Sequence, residues 1–160
     1  MGSGKSTIGR KLASAIGWRF IDLDHDIEAH AHKTSPEVFD QDGETVFRHI
    51  ESDMLARRIA EVKAGQQLVI ALGGGTFAQR ANRLALRDAG LTIWLDVPFE
   101  MVERRVAGFG HRPLARDPEK FRTLFDTRRH AYAEANERIS ITSDDVNPTV
   151  EAILALEFFQ

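Results

Sequence analysis

The chain has 160 residues, 42% of them hydrophobic, which suits one domain with a sizeable core. Its formal net charge of −3 argues against a nucleic-acid partner, whose surface would need a basic stripe. There is no cysteine, which excludes disulfide and thiolate chemistry, and no signal peptide or run near the ~20 apolar residues of a membrane span, so a cytoplasmic protein is expected.

In chain order, Met1-Gly2-Ser3-Gly4-Lys5-Ser6-Thr7 ends in the Gly-Lys-Ser of the phosphate-cradling pattern G-x-x-x-x-G-K-[ST]. Ile8, Leu12 and Ile16 then follow at helical spacing, and Gly17 stands where a helix would stop. Met-Gly-Ser-Gly also reads as a vector-derived leader, but an amphipathic helix opening at the lysine supplies the context the motif requires. The strand that ordinarily feeds this turn is absent, and its first glycine would lie two positions upstream of Met1. The expectation is a start assigned too far downstream. Lys5 is the candidate charge for the β- and γ-phosphates, and Ser6 the hydroxyl offered to Mg²⁺. Gly2, Ser3, Gly4 and Thr7 complete the cradle.

Strand candidates recur at Phe20 to Leu23, Leu68 to Leu72, Leu91 to Leu95 and Ile139 to Thr142. Between them the periodicity predicts a long helix through Val46 to Val62, closed by Gly65. Further helices are expected near Ala78 to Ala89, Phe99 to Ala107, Pro118 to Ala135 and Pro148 to Leu156. Strands alternating with helices predict an α/β fold with a central parallel sheet covered on both faces, whose ligands collect beyond the carboxyl ends of the strands.

Three acids stand at alternate positions after the first strand candidate, at Asp22, Asp24 and Asp26. Asp26 reads as the cap of the next helix. Asp22 and Asp24 would face one way on an extended segment, where two carboxylates can hold a metal-bound water and orient an acceptor hydroxyl. Gly73-Gly74-Gly75 reads as a loop in close contact with substrate. Arg48 has Glu51 three residues on, so a helical ion pair would account for it. Arg112, set in Gly108-Phe109-Gly110-His111-Arg112-Pro113, has the surroundings of a flap that carries an arginine onto a phosphate. Arg128 and Arg129 lie in a helical stretch, so at most one readily faces a site. The six histidines lack metal-ligand spacing: His30 and His32 are two apart and no H-E-x-x-H occurs.

These segments together resemble shikimate kinases, from Gly2 to about Leu156. The matching pieces are Gly-Ser-Gly-Lys-Ser-Thr-Ile-Gly-Arg at positions 2 to 10, Asp22-Leu23-Asp24, and Asp42-Gly43-Glu44 leading to Phe47-Arg48. They continue with Gly73-Gly74-Gly75, Arg112-Pro113-Leu114, and Arg128 four residues before Tyr132. The resemblance implies a single P-loop kinase domain over 1–160, three-layered α/β/α, with a substrate-binding helical region near 25–64 and a lid near 108–118. It implies transfer of the γ-phosphoryl group of ATP to the 3-hydroxyl of shikimate, with Mg²⁺, by a protein expected to be a monomer. By position, Asp24 would contact the accepting hydroxyl, and Arg48 and Arg128 the shikimate carboxylate. Gly73, Gly74 and Gly75 would contact the ring hydroxyls, and Arg112 the phosphates. Asp22 would lie near Mg²⁺, Arg105 at the adenine, and Asn147 beside the base. The alternatives are another small-molecule kinase of the same fold, such as a gluconate-type kinase, or a non-catalytic nucleotide-binding protein. Two departures stand out. Ala71 and Leu72 replace a position where the family often has Ser or Thr, and His130-Ala131-Tyr132 replaces a family Pro-Leu-Tyr.

Overall fold

The computed structural model describes residues 2–107 and 117–160. Four strands and nine α-helices form among them, and the strands pair as two parallel couples, β1 (Arg19–Asp22) with β2 (Leu68–Ala71) and β3 (Ile93–Asp96) with β4 (Glu137–Ser140). The chain divides into two compact units, one of residues 9–90 and the other of residues 2–8 and 91–160. No helix among the described residues is long and apolar enough to cross a membrane.

In the 9–90 unit, α1 (Lys5–Ile16) ends as its sequence reads, with Gly17 in the left-handed region at φ +71°. The register of the first couple runs from Arg19 beside Leu68 to Asp22 beside Ala71. At the carboxyl end of β1 the chain turns at once into α2 (Leu23–Ala31), so Asp24 lies in a helical first turn and not on an extended segment. The cap is Asp22, whose side chain accepts from the Asp24 amide at 3.2 Å. Asp26 is not the cap. Its carboxylate takes a two-pronged grip from Arg58, at 2.6 Å from Nε and 2.8 Å from Nη2, and Arg58 also pairs with Glu61. That engagement raises the Arg58 pKa, chiefly through the hydrogen bond to Asp26.

A capping box formed by Thr34 and Glu37 opens α3 (Ser35–Asp42), and Gly43 passes the chain into α4 (Glu44–Lys63). This twenty-residue helix packs against α2 and α3 and against the two short helices after β2, α5 (Gly74–Ala78) and α6 (Arg80–Leu86). Leu23, Ile27, Val38, Phe47, Met54, Leu55 and Ile59 are its buried core. The expected helix near Ala78 to Ala89 is α6, shorter at both ends, and Gln79, whose backbone is extended, separates it from α5. The triple glycine is not a loop either: Gly73 caps α5 and the other two glycines lie inside it.

In the other unit, α7 (Phe99–Ala107) has the predicted bounds, and α8 (Pro118–Tyr132) starts from an Asp117 cap that accepts from the Lys120 amide at 3.1 Å. The chain closes with α9 (Asn147–Leu154) and one 3₁₀ turn at Glu157–Phe159. Val97, Val102, Val106, Phe121, Ile141, Val150 and Ile153 are buried. Both strands of this unit sit off their sequence-read positions, because Asp96, Glu137 and Arg138 take strand geometry despite their charge.

Among the described residues, one residue other than glycine sits in the left-handed region. His32, the C-cap of α2, has φ +53°, where a side chain crowds the following carbonyl. His32→Gly is expected to raise stability by about 0.5–1 kcal/mol, read from urea unfolding; a loss of stability would mean that the imidazole makes a compensating contact.

Candidate active site

The cradle residues open the 2–8 and 91–160 unit. Gly2 and Gly4 have φ of +71° and +82°, the alternation that turns successive N–H groups inward, and α1 begins at Lys5. Ser3, Ser6 and Thr7 fill the remaining positions of this turn and the helix start. The first N–H groups of an α-helix have no partner within it and carry partial positive charge, which suits phosphate. Arg105 ties the cradle down. Its Nη1 donates to the Gly2 carbonyl at 2.9 Å, while Nε and Nη2 donate to Asp144 at 2.9 and 2.8 Å. The hydrogen bond from Arg105 holds the exposed Asp144 carboxyl below its usual range. Asn147 donates from its amide and its side chain to Asp145, at 3.0 and 2.8 Å, and so orders the same loop.

On α8, helix geometry left Arg128 and Arg129 open, and the resemblance named Arg128. Arg129 is committed to Asp96, at 2.5 Å from Nη1. Arg128 instead lies within hydrogen-bonding reach of the Tyr132 phenol one turn on; burial pushes that phenol up, and the Arg128 charge pulls it back.

The 9–90 unit brings together Asp24, Arg48 and Gly73-Gly74-Gly75. A Cβ on Gly75 would overlap the Arg48 guanidinium, with Cζ only 2.6 Å away. A Cβ on Gly73 would stand 3.0 Å from Oδ1 of Asp24 and 3.3 Å from Oε1 of Glu51. Glycine suits both positions by proximity: a Cβ at residue 75 would displace the Arg48 guanidinium, and one at residue 73 would crowd the Asp24 and Glu51 carboxylates. Arg112 lies outside the described residues.

The organising group is one that the sequence offered only as a helical ion-pair partner. Glu51 is 1% exposed, and its carboxylate accepts from Arg48 Nη1 at 2.8 Å, Thr76 Oγ1 at 2.6 Å and Gln79 Nε2 at 2.8 Å. The expected ion pair exists, and it holds the Arg48 fork against Gly75. Its signal was Glu51 three residues after Arg48, and what hid its importance was that Thr76 and Gln79 come from distant sequence.

Ser6 and Asp22 are both hard oxygen donors. No group of three His, Cys, Asp or Glu side chains among the described residues could hold a metal. Ser6 and Asp22 each offer the kind of oxygen that Mg²⁺ accepts alongside phosphate and water.

Truncating one partner of a buried, hydrogen-bonded charge pair leaves the other unpaired. Glu51→Ala is therefore expected to lower unfolding stability by about 3–5 kcal/mol; a urea midpoint near that of the unaltered protein would show that the three donors find other partners.

The family model described as shikimate kinase matches residues 1–156. A shikimate kinase of Persephonella marina is 38% identical over 155 residues, covering 96% of this chain and 92% of its own. That of Synechococcus elongatus is 41% identical over 158 residues, covering 96% and 80%. The solved shikimate kinase from Acinetobacter baumannii in complex with shikimate superposes with a TM-score of 0.87 at 33% identity, covering 96% of this chain and 86% of that one. Matched along nearly all of its length by the family model and by relatives of that one name, this chain belongs to the shikimate kinase family.

Proposed function

We propose that this protein transfers the γ-phosphoryl group of ATP to the 3-hydroxyl of shikimate, giving shikimate 3-phosphate and ADP. The observation that carries the reading is the gathering of Asp24, Arg48 and the Gly73–Gly75 backbone in one unit. It joins an anion able to direct an alcohol to a cation able to receive a planar carboxylate.

In this reading Gly2, Ser3, Gly4 and Thr7 wrap the phosphates with backbone amides, and Lys5 neutralises charge on the β- and γ-oxygens. Ser6 and Asp22 would hold Mg²⁺, which when bound supplies charge neutralisation on the phosphates. Asp24 accepts the hydrogen bond of the attacking hydroxyl and aims its lone pair at the γ-phosphorus. As the new P–O bond forms, the bond from the γ-phosphorus to the bridging oxygen breaks, and the hydroxyl proton passes toward Asp24. The transition state is loose, so direction matters more than basicity. Arg48 and Arg128 receive the carboxylate through guanidinium forks, and the backbone of Gly74 and Gly75 holds ring hydroxyls. Arg105 and Asn147 border the adenine, and the resemblance assigns Arg112 to the phosphates. The whole chain acts as one kinase domain, a cytosolic monomer with no nucleic-acid or membrane partner.

Held by Glu51, Arg48 reaches substrate already oriented, which reduces the entropy lost on binding. A family P-loop kinase acting on gluconate, or a protein that binds nucleotide without turnover, gives a different result in one assay. ADP release is measured across shikimate, gluconate and nucleoside monophosphates. Release with shikimate alone is expected; release with gluconate alone, or none with any acceptor, overturns the reading. Asp24→Asn is expected to lower kcat by about 10²-fold or more with ATP affinity nearly intact, and an equal loss of ATP binding would remove Asp24 from the acceptor role.

A further inference from the structure

The face of the β3–β4 couple that bears Trp94 also carries charge where apolar packing would be ordinary. Trp94 and Asp96 point to one side of β3 by strand alternation, and Arg138 stands in register beside Trp94. Asp96 is 7% exposed. Arg129, from α8, donates to it at 2.5 Å from Nη1 to Oδ1 and at 3.3 Å from Nη2 to Oδ2. Arg138 donates from Nε at 2.8 Å and from Nη2. Both guanidinium groups also lie over the Trp94 ring, 4.9 and 4.8 Å from its centroid.

The remaining grip on α8 is aromatic. Phe121 and Phe125 meet Phe99 at 5.5 and 5.1 Å between ring centroids, and Tyr132 meets Trp94 at 6.3 Å. Aromatic contacts of this kind tolerate roll about the helix axis, whereas a guanidinium gripping both oxygens of a carboxylate fixes direction. Arg128 precedes Arg129 by one residue and so stands about 100° away around the helix. Whatever fixes Arg129 therefore fixes the direction in which the Arg128 side chain leaves the helix.

We propose that Asp96 is a positioning residue for Arg128: its ion pair with Arg129 sets the roll of α8 and thereby aims the Arg128 guanidinium at the substrate carboxylate. This rests on the reading of Arg128 as a carboxylate ligand. Asp96 touches neither substrate nor nucleotide in this scheme, and its effect passes through Arg129 and the helix.

The test is steady-state kinetics on the full-length protein. Asp96→Asn is expected to raise the shikimate KM about tenfold, with kcat and the ATP KM within about twofold. Arg129→Lys keeps the charge but loses the fork, and it should give a smaller rise in the same constant. Asp96→Glu, which restores a carboxylate, should recover most of the affinity. In an Arg128→Ala background Asp96→Asn should have no further effect on the shikimate KM. The proposal is overturned if Asp96→Asn leaves that KM unchanged, raises both KM values together, or acts equally with and without Arg128. An unchanged shikimate KM in Arg128→Ala alone overturns the ligand reading, and this proposal with it. A rise there with none in Asp96→Asn overturns only the positioning role.

Discussion

Removing a carboxylate from water costs several kcal/mol unless its oxygens are fully engaged, and Glu51 meets that condition with donors from three elements. Arg48 comes from its own helix, Thr76 from α5, and Gln79 from the break before α6. The consequence runs outward from that oxygen pair. The start of α5 is drawn against α4, the triple glycine comes to lie under Arg48, and Asp24 stands over Gly73. Arg48, the carboxylate ligand of the proposed reading, is thus held in place by its own helix neighbour.

The other unit uses the same chemistry in a different proportion. There one carboxylate, Asp96, serves two guanidinium groups, and the excess positive charge is spread over the face of Trp94. Arg105 is a third example, bridging a cradle carbonyl and an exposed aspartate. In these last two cases an arginine uses its fixed fork to join pieces of chain remote in sequence, a task for which lysine lacks the geometry.

Much of this was legible beforehand, and the failures share a cause. The bounds of α1 and α7 follow from apolar periodicity, and Gly17 and Gly65 mark helix ends as read. Family kinship was legible from short motifs in a fixed order. The periodicity did not delimit α2 and α3, because α3 buries only Val38, and α2 only Leu23 and Ile27. Polar caps define them instead, Asp22 for one and Thr34 with Glu37 for the other. The strand limits of β3 and β4 slipped because Asp96 and Arg138 look like turn residues until it is seen that they pair with each other. Asp26 was read as a cap for want of its partner Arg58, thirty-two residues away. Most of what escaped were pairings that only the folded chain creates, though the cap at Asp22 and the helical triple glycine were local features that also went unread.

The contact between Gly75 and Arg48 also limits how acceptor preference could be re-engineered. Pockets are commonly enlarged by trimming side chains, yet the floor at residues 73–75 is already bare backbone and has nothing left to trim. Every replacement at residue 75 adds bulk beneath the guanidinium, so space there can be lost and never gained. In the proposed reading a bulkier alcohol would have to be accommodated at Arg48 or Asp24, the side chains to which that reading assigns the acceptor's carboxylate and hydroxyl.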